Sequence, residues 1–361
     1  MMNQEVLQVQ GLTTRRGDFQ LGPLAFSVAS GSCLAIQGIN GAGKTTLLEA
    51  IAGFSPAQAG CLMLQGRDIT AEAPELRRIA YVPQDLALFP HLTVEGNVAF
   101  GLRDGRRASR GVLKRLLDEF KLNHLRTSYP QQLSRGQRQR VALARALAME
   151  PSLVLFDEPS VNLDATSCEA LHLGVRRLVQ EYDLAVLYVT HHQSEVARLA
   201  DHVAILSDGR LLQTGSYSEV HARPADTCVA SHLGIDNLWS ASIVGKSARG
   251  LRIDVDGHIL ESSTAIPPRG PFCVGLSAGD IEIARSRPQG INNCLEVSVV
   301  AIEHSGPLLA LQLDGSPRLR AWVPAWWAKE LQIGTRLWAR LPPEALRLIP
   351  DSSNTLALRS E

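Results

Sequence analysis

Apolar residues fall into short runs at wide intervals through residues 1–232. Leu34-Ala35-Ile36, Leu153-Val154-Leu155-Phe156 and Leu184-Ala185-Val186-Leu187-Tyr188-Val189 contain no charged residue. Runs of this length suit strands buried on both faces of a parallel sheet. Thr46 to Ala52 instead places its apolar residues at helical spacing and stops at Gly53, which predicts a helix with a glycine end. Val203-Ala204-Ile205-Leu206 and Arg210-Leu211-Leu212-Gln213 flank Ser207-Asp208-Gly209 and predict a hairpin. Residues 85–130 hold Pro90-His91-Leu92-Thr93-Val94 and an amphipathic, basic stretch, expected to form a helical subdomain.

Beyond residue 236 the pattern changes. Leu251-Arg252-Ile253-Asp254-Val255-Asp256-Gly257, Leu308 to Leu313 before Asp314-Gly315, and Gly334 to Leu341 alternate apolar and polar residues between turn signals. Period-2 alternation of this kind predicts a small β-barrel. All five tryptophans (Trp239, Trp322, Trp326, Trp327 and Trp338) lie in this region, so a separate module is expected there.

Residues 38–45 read Gly-Ile-Asn-Gly-Ala-Gly-Lys-Thr and fit the phosphate-binding pattern G-x-x-x-x-G-K-[ST]. Gly38, Gly41 and Gly43 let the backbone turn its N–H groups toward one anion. Lys44 can reach the β- and γ-phosphates, and the Thr45 hydroxyl can hold Mg²⁺. Asn40, Ala42 and Thr46 complete the loop. The apolar run before it and the helix after it would seat the phosphates at a helix N-terminus, where the dipole favours negative charge. At the end of the 153–156 run, Asp157 and Glu158 emerge where α/β sheets bind ligands. Asp157 can hold Mg²⁺ through water, and Glu158 can polarise an attacking water.

Leu133-Ser134-Arg135-Gly136-Gln137 precedes these acids, and the chain here resembles the ABC-transporter ATPases. The pentapeptide resembles their signature motif, L-S-G-G-Q. Residues 153–158 resemble the Walker B strand with its catalytic glutamate. Gln84 resembles the Q-loop glutamine, Ser160-Val161-Asn162-Leu163-Asp164 the D-loop, and Val189-Thr190-His191 the switch histidine. The resemblance covers residues 1–232, with the motifs in the family's order. It implies an α/β fold: a P-loop ABC ATPase domain, with a RecA-like core and a helical subdomain, followed by the small all-β barrel domain at 236–361. It makes His191 a γ-phosphate contact and Gln84 a metal or water contact coupled to a partner. It implies ATP and Mg²⁺ as cofactors. Ser134, Gly136 and Gln137 would complete the nucleotide site of an opposing subunit, so the active unit would be a homodimer. Arg135 replaces the commoner glycine and is expected to point outward. His192 stands where an aspartate usually follows the switch histidine. For adenine, Phe19 is the candidate, with Arg16 a possible stacking cation. The alternative is that Phe19 packs into the β-subdomain.

Lys plus Arg equals Asp plus Glu, at 36 each, so neither a nucleic-acid partner nor a polybasic membrane contact is expected. No apolar stretch approaches the roughly 18 residues that span a bilayer, and no secretory h-region is visible at the N-terminus. The resemblance therefore implies a peripheral subunit on the cytoplasmic face of the inner membrane. It would meet transmembrane permease subunits directly and a periplasmic or extracellular solute-binding protein indirectly. Six scattered cysteines without C-x-x-C spacing read as reduced core thiols, neither disulfides nor metal ligands.

The run Arg16 to Leu21, residues 66–70 and the tail resemble molybdate/tungstate importer ATPases, and 294–349 resembles oxyanion-binding domains. Glu344, in Leu341-Pro342-Pro343-Glu344-Ala345, stands where such domains often carry a Lys-Ala pair, so the fold is expected with weakened anion binding. Sulfate, ferric iron and polyamine importers share the two-domain plan. A soluble, non-transport ABC ATPase and a regulatory oxyanion binder are the readings from other classes.

Overall fold

The computed structural model describes residues 4–102, 107–161, 163–248, 250–264, 266, 270–288 and 292–351. Asn162 of the D-loop reading and residues 352–361 of the tail lie outside them. The chain divides into two compact units, Met1–Tyr217 and Ser218–Glu361.

The first unit opens with β1 (Glu5–Arg16) and β2 (Phe19–Ala29), then β3 (Cys33–Gln37) and α1 (Lys44–Ala52). β4 (Ala59–Leu64), β5 (Arg67–Asp68) and β6 (Ile79–Val82) follow. The helices α2 (Val94–Phe100), α3 (Arg107–Glu119) and α4 (Arg135–Ala148) precede β7 (Leu153–Asp157). The unit ends with α5 (Ala165–Glu181), β8 (Ala185–Thr190), α6 (Gln193–Leu199), β9 (His202–Ser207) and β10 (Arg210–Ser216). One sheet has the order β10-β9-β3-β8-β7-β6, and a second, antiparallel sheet the order β2-β1-β4-β5. β3 pairs in parallel with both β8 and β9, and β7 with both β6 and β8. Every residue of β3, β7 and β8 is buried, which is why these stretches read as uninterrupted apolar runs. The predicted hairpin is β9–β10, turning through Asp208 (φ 47°) and Gly209 (φ 73°). α1 ends as expected at Gly53, whose φ of 90° is a left-handed cap. The helical subdomain is built from α2, α3 and α4, with Leu116, Leu117, Val141 and Leu147 in a core shared with the sheet residues Phe156 and Tyr188.

The second unit begins with α7 (Tyr217–Ala222) and α8 (Thr227–His232). These short helices belong with the tail, ahead of the 232–236 boundary read from the sequence. The apolar residues Ala230, Ile235 and Ile349 cluster together and hold α8 to the tail's own strands. The predicted strands form two five-stranded antiparallel sheets. The first contains β11 (Asn237–Ser247), β12 (Gly250–Val255), β13 (His258–Ser262), β14 (Phe272–Leu276) and β20 (Arg347–Pro350). The second contains β15 (Glu282–Ala284), β16 (Cys294–Ser305), β17 (Leu308–Asp314), β18 (Leu319–Pro324) and β19 (Arg336–Arg340). Ile253, Val274, Val297, Leu311 and Leu337 come from both sheets and share one core. Alternate residues turn inward along β12, β17 and β18, so the sequence alternation was the imprint of one buried face.

Candidate functional site

The parallel register sets Gln37 beside Thr190 and Asp157 beside Val189. The phosphate loop, Glu158 and His191 therefore leave the sheet together at the carboxyl ends of three neighbouring strands. Two glycines let the loop sit there. A Cβ on Gly38 would lie 2.4 Å from the Leu206 carbonyl oxygen. A Cβ on Gly43, at φ 102°, would lie 2.9 Å from the Phe19 ring and 2.8 Å from Leu21. No side chain fits either position.

The Lys44 side chain is 6% exposed. Its Nζ donates to the carbonyl oxygens of Gly38 (2.9 Å) and Ile39 (3.0 Å) and lies 3.3 Å from Glu158 Oε1. Glu158 Oε2 lies 3.3 Å from His191 Nδ1. A buried ammonium needs such partners to remain charged. Glu158 adopts φ 45°, a region that non-glycine residues rarely occupy and that is concentrated at functional sites. Its N–H donates to the Val189 carbonyl at 3.1 Å.

Beside this line, Thr45 Oγ1 donates to Asp157 Oδ1 (3.2 Å), and the Tyr81 hydroxyl donates to Oδ2 (3.0 Å). Burial raises the Asp157 pKa, and the two hydroxyl donors oppose that rise. Burial, then the Asp157 charge, pushes the Tyr81 phenol up as well, so it stays a donor. Arg16, Phe19, Asn40, Gly41, Gly43, Lys44, Thr45, Thr46, Gln84, Asp157 and Glu158 line a cavity of about 620 Å³ around these groups. Ala42 is buried behind the loop. Phe19 packs against the core of the first unit with one part of its ring and faces the cavity with another.

Ser134, Gly136 and Gln137 are not among the residues lining that cavity. They line a separate one of about 500 Å³ with Leu173 and Arg177. Ser134 caps α4: its side chain accepts from the Gln137 N–H (3.3 Å), and Gln137 Oε1 accepts from the Ser134 N–H (2.8 Å). Such a reciprocal cap contributes about 1 kcal/mol. A Cβ on Gly136 would stand 3.0 Å from Ser167 Oγ, so the small residue serves the close approach of α4 to α5. Arg135 does not point outward as expected. It is half-buried, and its Nη2 donates to the Val161 carbonyl. A guanidinium finds a D-loop acceptor that a glycine could not use.

A profile of the ABC transporter family matches residues 21–161. The molybdate/tungstate import ATP-binding protein WtpC of Pyrococcus abyssi is 36% identical over 324 residues, 88% of this chain and 92% of that one. The sulfate/thiosulfate import ATP-binding protein CysA of Ralstonia nicotianae is 39% identical over 295 residues, 79% of this chain and 77% of its own. A solved structure of the ATP-binding subunit of an ABC transporter superposes with a TM-score of 0.54 at 29% identity, covering 60% of this chain and 92% of that one. The chain belongs to the ABC-transporter ATP-binding subunits.

Several residues that the motifs did not reveal support this ABC cassette. Tyr81 orients Asp157, and its place in an apolar strand carries no sign of that role. Arg77 is 3% exposed and donates to the carbonyls of Ala50, Ile51, Glu72 and Thr70, tying down the end of the phosphate-loop helix. Its only signal was a charge just ahead of an apolar strand. Arg145 donates to the carbonyls of Leu86 and Ala87 (2.8 and 2.6 Å) and lies 5.3 Å from the Phe89 ring. It braces the turn after Gln84, where Leu86 and Ala87 take φ of 66° and 41°. Gln84 itself is exposed at the cavity rim. His192 donates its N–H to Thr190 Oγ1 (3.0 Å), and its ring tilts against His191 with centroids 4.0 Å apart. His191 keeps its contact with Glu158 without an aspartate beside it. Among the described residues, no helix is long and apolar enough to cross a membrane.

Proposed function

We propose that this ABC protein is the ATP-hydrolysing subunit of an importer. It works as a homodimer on the cytoplasmic face of the inner membrane, with molybdate or tungstate as the cargo. One observation carries the hydrolytic reading: Lys44, Glu158 and His191 form a continuous line beside the Thr45–Asp157 pair. Loop N–H groups from Gly41 to Thr46 receive the phosphates. Lys44 exchanges the Gly38 and Ile39 carbonyls for β- and γ-phosphate oxygens, which frees Glu158 to polarise the attacking water. His191 then contacts the γ-phosphate. Thr45, Asp157 and Gln84 are hard oxygen donors of the kind that hold Mg²⁺, and that ion would neutralise charge on the phosphates. Phe19 offers its ring to adenine, with Arg16 alongside.

Ser134, Gly136 and Gln137 face a different cavity because they serve the partner subunit's nucleotide. Phe54, Tyr81, Phe89, Phe100 and Met149 line an apolar groove of about 660 Å³, and Phe54 and Phe100 are mostly exposed. A patch of this kind suits a permease segment, and the Gln84 turn runs beside it. Catalysis belongs to the first unit. The β-rich unit is a regulatory or dimer-stabilising module.

The Pyrococcus relative, a molybdate/tungstate import ATP-binding protein, supports molybdate or tungstate as cargo. The Ralstonia relative keeps sulfate as the second reading. The test is reconstitution with permease, adding binding protein loaded with tungstate, molybdate or sulfate. Stimulated phosphate release with tungstate or molybdate supports the first cargo, and stimulation by sulfate alone replaces it. A Glu158→Gln chain that still hydrolyses at the normal rate would overturn the hydrolytic assignment.

A further inference from the structure

Behind the switch loop, α5 and α6 bring together three side chains that hydrolysis does not use. Cys168 and His172 stand one turn apart on α5, and Glu195 faces them from α6. Cys168 Sγ lies 3.5 Å from His172 Nε2 and 3.8 Å from Glu195 Oε1, and His172 Nε2 lies 3.5 Å from the same oxygen. Glu195 is 3% exposed and His172 9%, whereas Cys168 is half-buried and open to solvent on one side. The two carboxylate oxygens divide their duties. Oε2 accepts from Thr190 Oγ1 (2.6 Å) and from the Tyr188 hydroxyl (3.3 Å). Oε1 faces the sulfur and the imidazole.

We propose that Cys168, His172 and Glu195 form a binding site for a borderline divalent ion of the Zn²⁺ class. In a tetrahedral site, Zn–S of about 2.3 Å and Zn–N and Zn–O of about 2.0 Å set ligand atoms about 3.3–3.6 Å apart. The three contacts here already sit close to that spacing. A sulfur, an imidazole nitrogen and a carboxylate oxygen form the mixed set that Zn²⁺ accepts, with water in the fourth position. On binding, the Sγ–metal bond forms as the thiol proton passes to solvent. The thiolate and the Glu195 carboxylate then balance the two positive charges. Burial and the neighbouring Glu195 carboxylate keep the Cys168 thiol protonated in the free chain, with Arg198 the smaller, opposing influence. The site is tied to the catalytic loop, because Thr190, held by Glu195, accepts the His192 N–H next to His191. The ion would therefore fix the α5–α6 pairing beneath the switch histidine.

The test uses the full chain, reduced, stripped with chelator and saturated with Mg²⁺, then titrated with Co²⁺ as a spectroscopic probe. One equivalent should give a thiolate charge-transfer band and the intense visible absorption of a tetrahedral ion, both displaced by Zn²⁺. Cys168→Ser should abolish the charge-transfer band. His172→Asn should weaken Co²⁺ binding on the order of 10-fold or more, the scale already seen for residues one shell further out. Cys228→Ser should keep both signals, although it removes the thiol of the second Cys-x-x-x-His pair, Cys228–His232. Absence of a thiolate band, or a band that survives Cys168→Ser, overturns the proposal. Independently of any variant, Zn²⁺ should raise the Tm of the unmodified chain, because the ligands meet only when folded. An unchanged Tm also overturns it.

Discussion

The cavity of the β-rich unit measures about 910 Å³ and exceeds the nucleotide cavity at about 620 Å³, yet its polar groups have little left to do. Asn237 donates to the Leu276 and Arg320 carbonyls and accepts from the Arg320 N–H. The Trp239 indole donates to the Arg318 carbonyl at 3.0 Å, and Arg318 pairs with Asp314. Asp236, Asp256 and Asp314 line the space together with Arg318 and Arg320, so a dianion would meet three carboxylates against two guanidiniums. In the nucleotide cavity the polar groups are held in a provisional state. Lys44 rests on two carbonyls and a carboxylate that incoming phosphate oxygens can replace, and Glu158 is kept in a left-handed backbone. Volume does not distinguish the two cavities. Convergent groups whose present partners are exchangeable do.

The strongest challenge to this contrast is to remove the exchangeable groups. Glu158→Gln should leave ATP affinity unchanged and slow phosphate release by about 10²-fold or more, the scale of a lost general base. Lys44→Ala should act on binding itself, weakening nucleotide affinity by about 10- to 100-fold as its charged hydrogen bonds disappear. Equilibrium nucleotide binding and phosphate release, measured on both variants, separate the two effects. Equal losses of affinity would erase the distinction between the cation and the base.

Dimerisation tests the second cavity of the first unit. In the Glu158→Gln background, ATP with Mg²⁺ should drive closure that sedimentation detects, and Ser134→Arg should prevent it by filling the capped N-terminus of α4. A dimer indifferent to nucleotide and to residue 134 counts against the shared site.

A smaller effect is expected at Glu195. Burial alone would raise its pKa, but hydrogen bonds from His172 and Thr190 prevail and hold it at about 2, below its ordinary 4.5. A lowered folded-state pKa means that this group's stability is fully present above about pH 4.5 and drains away as pH falls toward 2. In chelator, Glu195→Gln should lower the Tm at neutral pH and flatten the acid side of the Tm–pH curve over that window. A parallel downward shift at every pH would assign the loss to packing rather than charge.

The smallest response should come from the tail. Tungstate added to the full chain should change tryptophan fluorescence weakly or not at all, because the three aspartates outnumber the two arginines around the cavity beside Trp239. Glu344 is exposed and is not among the residues lining this cavity, so the aspartates carry that expectation. Tight binding by calorimetry would reverse it and strengthen the oxyanion assignment. A chain ending at Tyr217 should still bind ATP. It should stay more soluble than one ending at Leu233, which would retain α8 without the tail residues Ile235 and Ile349 that cover Ala230.

The cassette was legible in the sequence because its chemistry is written in contiguous pieces. A phosphate loop needs glycines and a lysine within eight residues. A strand buried on both faces has to be apolar throughout. A helix cap and its reciprocal partner lie three residues apart. Those local constraints are enough to place the glycine loop, Asp157, Glu158, the hairpin and the tail strands. Tertiary structure decided whatever depends on residues far apart in the chain. It turned Arg135 back onto Val161, put Tyr81 against Asp157 and Arg77 under the end of α1, and moved α8 into the second unit. It also brought Glu195 to Cys168 and His172, which lie more than twenty residues before it in the chain. Nothing in the linear pattern records such pairings, because each is set by how strands and helices pack and not by the periodicity within any one of them.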